Sequence, residues 1–156
     1  VFVGNRLIQD YPDGAVLLEQ LLKHEFAHLV TNRILRKNGI GLDGPAVPSW
    51  FAEGLAEYAA GNLIESKLHL PAKYLTGEEL LLGISLSSIG RPACRQAYAQ
   101  ATVMVEKLLA KRGERSISDV LVSFSKEYRR SGDVEQALLA VFKTSTKGLE
   151  LSVMQK

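Results

Sequence analysis

Apolar residues recur at helical spacing along most of this chain, and they predict a mostly helical domain. The longest stretch covers about residues 15–37, where apolar positions fall three or four residues apart. These positions are Leu17, Leu18, Leu21, Leu22, Phe26, Leu29, Val30 and Ile34. Because they cover a broad part of the helix surface, we expect this helix to be central and buried on most sides.

The second half of the chain shows the same spacing. It predicts helices over about residues 93–112, 116–130 and 133–143, and a less well determined last helix within 144–156. Ser116 and Asp133 are expected to be N-caps, and Gly113 is expected to follow the end of a helix. In the first of these helices, one stripe at helical spacing is formed by Ala97, Ala101, Val105 and Leu108.

The remaining segments predict short or irregular structure within a single domain over residues 1–156. Residues 1–3 and 6–8 could form short strands, followed by a turn at 11–14. Residues 39–48 and 83–91 are rich in Gly, Pro or Ser and are expected to be loops. The domain is then divided into a strand and turn region (1–14), two motif-bearing helices (15–61) and a helical lobe (62–156).

The first predicted helix contains the sequence His24-Glu25-Phe26-Ala27-His28, which is an HExxH motif. On a helix, residues four apart lie on the same face, so His24 and His28 can bind one Zn²⁺ together. Glu25 can then act as general base on a metal-activated water, as in a zinc hydrolase. The alternative is a helix with two surface histidines and a solvated glutamate.

A second segment, PSWFAEGLAEY, is expected to supply a third metal ligand. It predicts a helix over about residues 50–60, with Ser49 as its N-cap and Gly61 at its end. Catalytic zinc usually has three protein ligands and one open position, and Glu53 is the first choice for the missing ligand. Gly54 costs the helix about 1 kcal/mol relative to Ala but suits the close approach of another helix.

Together, HEFAH and PSWFAEGLAEY resemble the gluzincin clan of metallopeptidases, specifically the small peptidase-MA-like domains. The resemblance covers roughly residues 15–143, although only the two motifs are specific. It implies a mostly α, zincin-like fold with a zinc helix, a helical C-terminal lobe and a small N-terminal β element. Larger members of the clan have a sheet-containing N-terminal lobe, and in this chain that sheet could be truncated. Metzincins are excluded because they require Gly and His where this chain has Thr31 and Ile34.

Carried over to this chain, the resemblance implies one Zn²⁺ per chain, bound by His24, His28 and Glu53, with Glu25 as general base. Similar domains have a tyrosine near the start of the helix that follows the zinc site. In this clan a Tyr or His stabilises the oxyanion of the reaction, and Tyr98 is the corresponding catalytic candidate. Tyr98 also fits a core tyrosine whose hydroxyl reaches the surface.

Four other polar residues near the predicted site have open roles. Glu57 lies one turn after Glu53 and could be the hydrogen-bond partner of a zinc-bound histidine, an exposed glutamate or the zinc ligand itself; the resemblance favours Glu53 as ligand. Arg95 and Gln100 are weaker candidates for contacting the oxyanion. His69 is expected to be a loop or core residue rather than a ligand.

Composition and charge exclude several classes of partner. The net charge is +2 and 46% of the residues are hydrophobic, which is typical of a globular domain. The basic residues lack the density and interleaved aromatics of a nucleic-acid surface, and no apolar run is long enough to span a membrane.

Cys94 is the only cysteine, so no intrachain disulfide is predicted. Because the chain begins at Val1, we expect it to be a piece of a longer protein.

The predicted function is zinc-dependent hydrolysis of peptide bonds in a peptide or protein substrate. Endopeptidase action is favoured because no motif resembles an amine-capturing glutamate cluster. Two alternatives stay open: a catalytically silent zinc-binding module that recognises peptide or protein, and a helical interaction domain in which HExxH is coincidental. Similar domains occur in bacterial envelope or exported proteins, which implies such a location here. The sequence predicts neither the cleavage specificity nor the oligomeric state.

Overall fold

A computed structural model of the chain describes residues 14–40, 46–85 and 92–155. These residues form α-helices and no β-strand, which confirms the predicted mostly α fold. The helices are α1 (Gly14–Lys37), α2 (Ser49–Ala60), α3 (Leu63–Leu68), α4 (Gly77–Ser85), α5 (Pro92–Ala110), α6 (Ile117–Ser131), α7 (Val134–Phe142) and α8 (Thr146–Met154). The predicted strands at residues 1–3 and 6–8, most of the turn after them and much of both predicted loops lie outside the described residues.

Side chains cap two of the helices as the sequence predicts. The Ser116 hydroxyl accepts a hydrogen bond from the backbone N–H of Asp119 at 3.0 Å, at the start of α6. The Asp133 carboxylate accepts one from the backbone N–H of Glu135 at 2.7 Å, at the start of α7. Each bond satisfies an N–H group that has no partner within its own helix.

The predicted N-cap of α2 is wrong by one residue. Ser49 is already the first helical residue, and the capping position is Pro48, whose side chain offers no hydrogen bond. The Pro48 carbonyl accepts from the N–H groups of Phe51 at 3.0 Å and Ala52 at 3.1 Å, so the first helical turn starts from the proline. The fixed φ of proline suits this position at the edge of a helix.

Helix α5 lies at the centre of the fold and contacts α2, α3, α4 and α8. The four residues of the predicted stripe are all fully buried: Ala97, Ala101, Val105 and Leu108. Three of these side chains are small or short, which allows neighbouring helices to come close to the α5 backbone. The core is therefore organised around the small residues of this helix.

Two glycines mark the closest approaches to α5. A Cβ atom at Gly54 would lie 2.3 Å from the carbonyl oxygen of Ala101, and one at Gly83 would lie 2.6 Å from the Cβ of Ala97. The close approach predicted for Gly54 is therefore confirmed. Because Glu53 precedes Gly54 on α2, this tight contact also determines where the Glu53 carboxylate lies.

An aromatic cluster joins α2 to the helices that follow α5. The ring of Phe51 stacks on Phe124 at 4.7 Å between centroids, and Phe124 contacts Phe142 at 5.6 Å. The hydroxyl of Ser125 donates a 2.7 Å hydrogen bond to the Ala46 carbonyl, which holds the chain just before α2 against α6. These contacts fix the start of α2 independently of its contact with α5.

Helix α1 is less buried than its sequence pattern predicts. It packs on α2 and α6, and Leu35 is buried near its end, but Leu22, Phe26 and Leu29 are 60%, 64% and 65% exposed. The expectation of burial on most sides is wrong because, among the described residues, neighbouring helices cover only part of its surface. Within this same part of the chain, no helix is both long and apolar enough to cross a membrane.

Candidate metal centre

Helices α1 and α2 bring three side chains that could bind a metal to one point. The Nε2 atoms of His24 and His28, one turn apart on α1, lie 3.1 Å from each other. From α2, the Oε2 atom of Glu53 lies 3.3 Å from His24 Nε2 and 3.5 Å from His28 Nε2. Within the described part of the chain, this is the one group of three His, Cys, Asp or Glu side chains close enough to hold a metal ion.

The spacing of these three atoms fits one small cation. In a tetrahedral zinc site with bonds of about 2.0–2.1 Å, neighbouring ligand atoms lie about 3.3 Å apart. The three separations of 3.1, 3.3 and 3.5 Å are close to this value. Two imidazole nitrogens and one carboxylate oxygen are also a donor set that suits zinc and leaves a fourth position open.

Glu57 contacts the opposite edge of the His24 ring. Its Oε1 atom lies 2.8 Å from His24 Nδ1, the nitrogen that does not face Glu53. Nδ1 is shielded from solvent, and the Glu57 carboxylate is the charged group that faces it. The arrangement leaves Nε2 of His24 directed at the other two metal-binding side chains.

The charges of this cluster stabilise one another. Burial lowers the pKa of His24, but hydrogen bonds and charge interactions with Glu53 and Glu57 outweigh it and raise the pKa to about 9. Burial raises the pKa of Glu53, but contacts with His24 and His28 outweigh it and lower the pKa to about 2. Without a metal, the cluster therefore holds a proton at neutral pH that a cation would displace.

Tyr98 lies beside the cluster, near the start of α5. Its ring centroid is 6.4 Å from that of His24, with the rings tilted by 45°. Burial raises the pKa of the Tyr98 hydroxyl well above its usual value, and the negative charge of Glu53 raises it further. The hydroxyl therefore stays protonated at neutral pH, and it also forms a hydrogen bond with the Glu53 carboxylate.

Glu25 occupies a different environment from the three clustered side chains. It follows His24 on α1 but is exposed to solvent. Consecutive helical residues point about 100° apart, so the Glu25 side chain leaves the helix beside the cluster rather than within it. Its carboxylate is accessible to solvent.

A cavity of about 320 Å³ adjoins the cluster on the side of Glu57 and Tyr98, which both line it. Asn62, His69 and Arg95 form part of its wall. The cavity is open to solvent, and residues of α3 and α5 line it together with Glu57.

Among known protein families, the chain matches the peptidase MA superfamily over residues 14–155. The chain belongs to the peptidase MA superfamily. The match includes all the described helices, so the resemblance drawn from the two sequence motifs is confirmed. No curated protein and no solved structure matches the chain significantly.

In this peptidase MA domain, the other polar residues considered near the site lie in different surroundings. Gln100 is fully buried, and its amide exchanges hydrogen bonds with the backbone of Leu75 at 2.7 and 2.9 Å, so it is unavailable to a substrate. Arg95 lies at the cavity, with its guanidinium 3.4 Å from His69 Nε2. His69 lies at the end of α3 and is not one of the three clustered side chains.

One contact in this peptidase MA domain was missed by the sequence analysis. The side-chain amide of Asn62 donates a 2.7 Å hydrogen bond to Oε2 of Glu57. The signal available in the sequence was the pair Gly61-Asn62 directly after the ligand helix, which is typical of a turn that folds back on the helix end. The glycine predicted the end of the helix, whereas the contact of the Asn62 side chain with Glu57 was not predicted.

Proposed function

We propose that this domain is a zinc-dependent peptidase of the gluzincin type. The observation that carries the proposal is the convergence of His24, His28 and Glu53 within 3.5 Å of one another, beside the glutamate of an HExxH motif. Membership of the peptidase MA superfamily supports peptide hydrolysis as the reaction. The proposed substrate is a peptide or protein, with cleavage at internal bonds.

The proposed ligands are His24 Nε2, His28 Nε2 and a Glu53 carboxylate oxygen. When bound there, zinc would supply a Lewis acid that acidifies a water molecule and polarises a peptide carbonyl. Glu57 would orient the His24 ring through Nδ1, since ligand histidines commonly depend on a carboxylate or carbonyl at their second nitrogen. Because the ligands come from two packed helices, the site is held rigidly.

The proposed proton carrier is Glu25. Its carboxylate would accept a proton from the attacking water and later deliver that proton to the leaving amine. The Tyr98 hydroxyl would donate a hydrogen bond to the developing oxyanion, and its raised pKa keeps the donor proton in place. The cavity beside Glu57 and Tyr98 would receive a substrate side chain next to the cleaved bond.

Metal content tests the binding part of this proposal. We expect about one zinc per chain in the wild-type protein and almost none in His24→Ala, measured by plasma mass spectrometry on folded samples. A folded wild-type protein that takes up no zinc, even when zinc is supplied, would reject the proposed metal centre and the peptidase function with it.

Turnover tests the catalytic part. We expect the zinc-loaded protein to cleave peptides with blocked N- and C-termini, and Glu25→Gln to keep its zinc while losing at least about a hundredfold in kcat. Product masses from a mixed peptide library would show whether internal bonds are cut. Zinc binding without turnover on any peptide would instead support a catalytically silent zinc-binding module. If Glu25→Gln were as active as the wild-type protein, Glu25 would not be the base.

A further inference from the structure

The C-terminal end of α2 has a turn that reaches back toward the metal centre. Gly61 adopts a left-handed conformation with φ of 89°, and its N–H bonds the Tyr58 carbonyl at 3.2 Å. The N–H of Asn62 bonds the Glu57 carbonyl at 3.1 Å. This pair of hydrogen bonds is the Schellman arrangement, in which the residue after the glycine is folded back over the last helical turn.

The turn places the Asn62 side chain on the Glu57 carboxylate. Asn62 Nδ2 donates to Glu57 Oε2 at 2.7 Å, while the other carboxylate oxygen, Oε1, faces His24 Nδ1 at 2.8 Å. Asn62 thus contacts Glu57 through both its backbone and its side chain. With one oxygen held on each side, the carboxylate has a defined orientation with respect to the histidine ring.

The orientation of the Asn62 amide is set by the same contact. Its Oδ1 atom is shielded from solvent and accepts no hydrogen bond within the described part of the chain. Exchanging the two ends of the amide would bring this oxygen against a carboxylate oxygen, which is repulsive. A buried acceptor without a partner is unfavourable, and the donor contact with Glu57 offsets part of that cost.

We propose that Asn62 is a positioning residue of the metal centre, which holds the Glu57 carboxylate against His24 and thereby sets the affinity for zinc. The inference rests on the proposed function only in taking zinc as the bound ion. Without the amide, Glu57 Oε2 would face the adjoining cavity, where water and substrate groups compete for it. A carboxylate that samples several orientations holds the His24 ring less firmly. Zinc binding must then order this carboxylate, which makes the binding free energy less favourable.

The test is the zinc affinity of Asn62→Ala, measured by competition with a chelating dye. Asn62 has φ of −81° and ψ of 11°, an ordinary backbone conformation, so alanine can occupy the turn without strain. We expect the dissociation constant for zinc to rise about tenfold, at the lower end of the range for residues that support metal ligands. The melting temperature with chelator present checks that the variant folds.

Asn38→Ala is a matched control. Like Asn62, Asn38 follows a helix and lies next to a left-handed glycine, here Gly39, and its side-chain amide donates a hydrogen bond to the Ile34 carbonyl at 2.9 Å. Asn38 lies beyond the C-terminal end of α1, far from His24 along the helix. The zinc affinity of Asn38→Ala should therefore equal that of the wild-type protein. A similar loss in both variants would show a general effect of altered helix ends and overturn the inference.

A double-mutant cycle decides whether Asn62 acts through Glu57. In a Glu57→Ala background, Asn62→Ala should cause no further loss of zinc affinity. An equal loss with and without Glu57, or no loss in the single variant, would overturn the inference while leaving the metal centre intact. A wild-type protein without zinc affinity would overturn the metal centre itself, so the two failures are distinguishable.

Discussion

Glu53 and Glu57 show how two identical side chains, one turn apart, come to occupy different environments. Glu53 Oε2 faces the two Nε2 atoms, whereas Glu57 Oε1 faces the Nδ1 atom of His24. The sequence left both residues open as ligands because both lie on the same helix face. The distances favour Glu53 as the ligand and Glu57 as the residue that orients His24.

The two glutamates should therefore respond differently to truncation. We expect Glu53→Ala to weaken zinc binding by more than about a hundredfold, because it removes a ligand, and Glu57→Ala to weaken it by about 10–100-fold. Dye-competition titrations of both variants would measure the difference. If Glu57→Ala proved the more damaging change, the ligand assignment would have to be exchanged.

The role proposed for Tyr98 depends on its hydroxyl group alone. We expect Tyr98→Phe to keep its zinc and lose about a hundredfold in kcat with little change in KM, because the proposed hydrogen bond to the oxyanion forms in the transition state. Tyr74→Phe is the matched control, since the Tyr74 hydroxyl is directed at the sulfur of Met104, 3.6 Å away. Full activity in Tyr98→Phe would leave Tyr98 as a packing residue.

At the scale of elements, the centre depends on how closely α2 packs against α5. The Gly54 backbone approaches the Ala101 carbonyl so closely that no side chain fits between them. The neighbouring Glu53 is thereby brought to the histidines of α1. The glycine that weakens α2 as an isolated helix is thus required for its packing.

Gly54→Ala should reveal this requirement. A Cβ atom 2.3 Å from a backbone oxygen cannot be relieved by a side-chain rotation, so the helices must separate. We expect a net loss of about 2 kcal/mol in the free energy of unfolding, despite the better helix propensity of alanine. Chemical denaturation would measure it.

Gly77→Ala serves as the control for that substitution. Gly77 begins α4, and a Cβ atom there would have open space around it. Its stability should change by less than about 1 kcal/mol. Equal losses in the two variants would show that the contact with Ala101 is not the cause, because replacing glycine by alanine lowers the entropy of the unfolded chain and by itself stabilises the fold.

At the scale of the whole molecule, the cluster links protonation to stability. The pKa of His24 is raised from 6.5 to about 9 in the folded chain without metal, so its contribution to stability is complete below pH 6.5 and is lost as the pH rises through about 9. The pKa of Glu53 is lowered from 4.5 to about 2, so its contribution is present above pH 4.5 and is lost as the pH falls through about 2.

Chelator-treated protein should therefore melt at a lower temperature at pH 9.5 than at pH 6. The expected cause is the loss of the His24 proton, which Glu53 and Glu57 stabilise in the folded state. Calorimetry at both pH values on wild type and His24→Ala would measure the effect, which should be smaller in the variant. The same decrease in both proteins would assign the pH dependence to other groups.

Much of the element structure followed from the sequence because its causes are local. Apolar spacing placed α1, α5, α6 and α7 to within a few residues, and Ser116 and Asp133 cap their helices as expected. The HExxH motif was equally readable, since helical geometry alone puts His24 and His28 on one face. Family membership followed from the same short motifs.

Other features depended on contacts between segments distant in sequence, and only the tertiary structure decided them. Periodicity identified the apolar surface of α1 but not that Phe26 is left exposed, since burial depends on which neighbours are present. The contact of Asn62 with Glu57 arises from a turn whose side-chain direction no pattern encodes. The sequence by itself therefore determined the helices and the kinds of metal-binding residues. Their relative positions came from the packing of α2 between α1 and α5, because distances between helices are set by side chains that meet only in the folded chain.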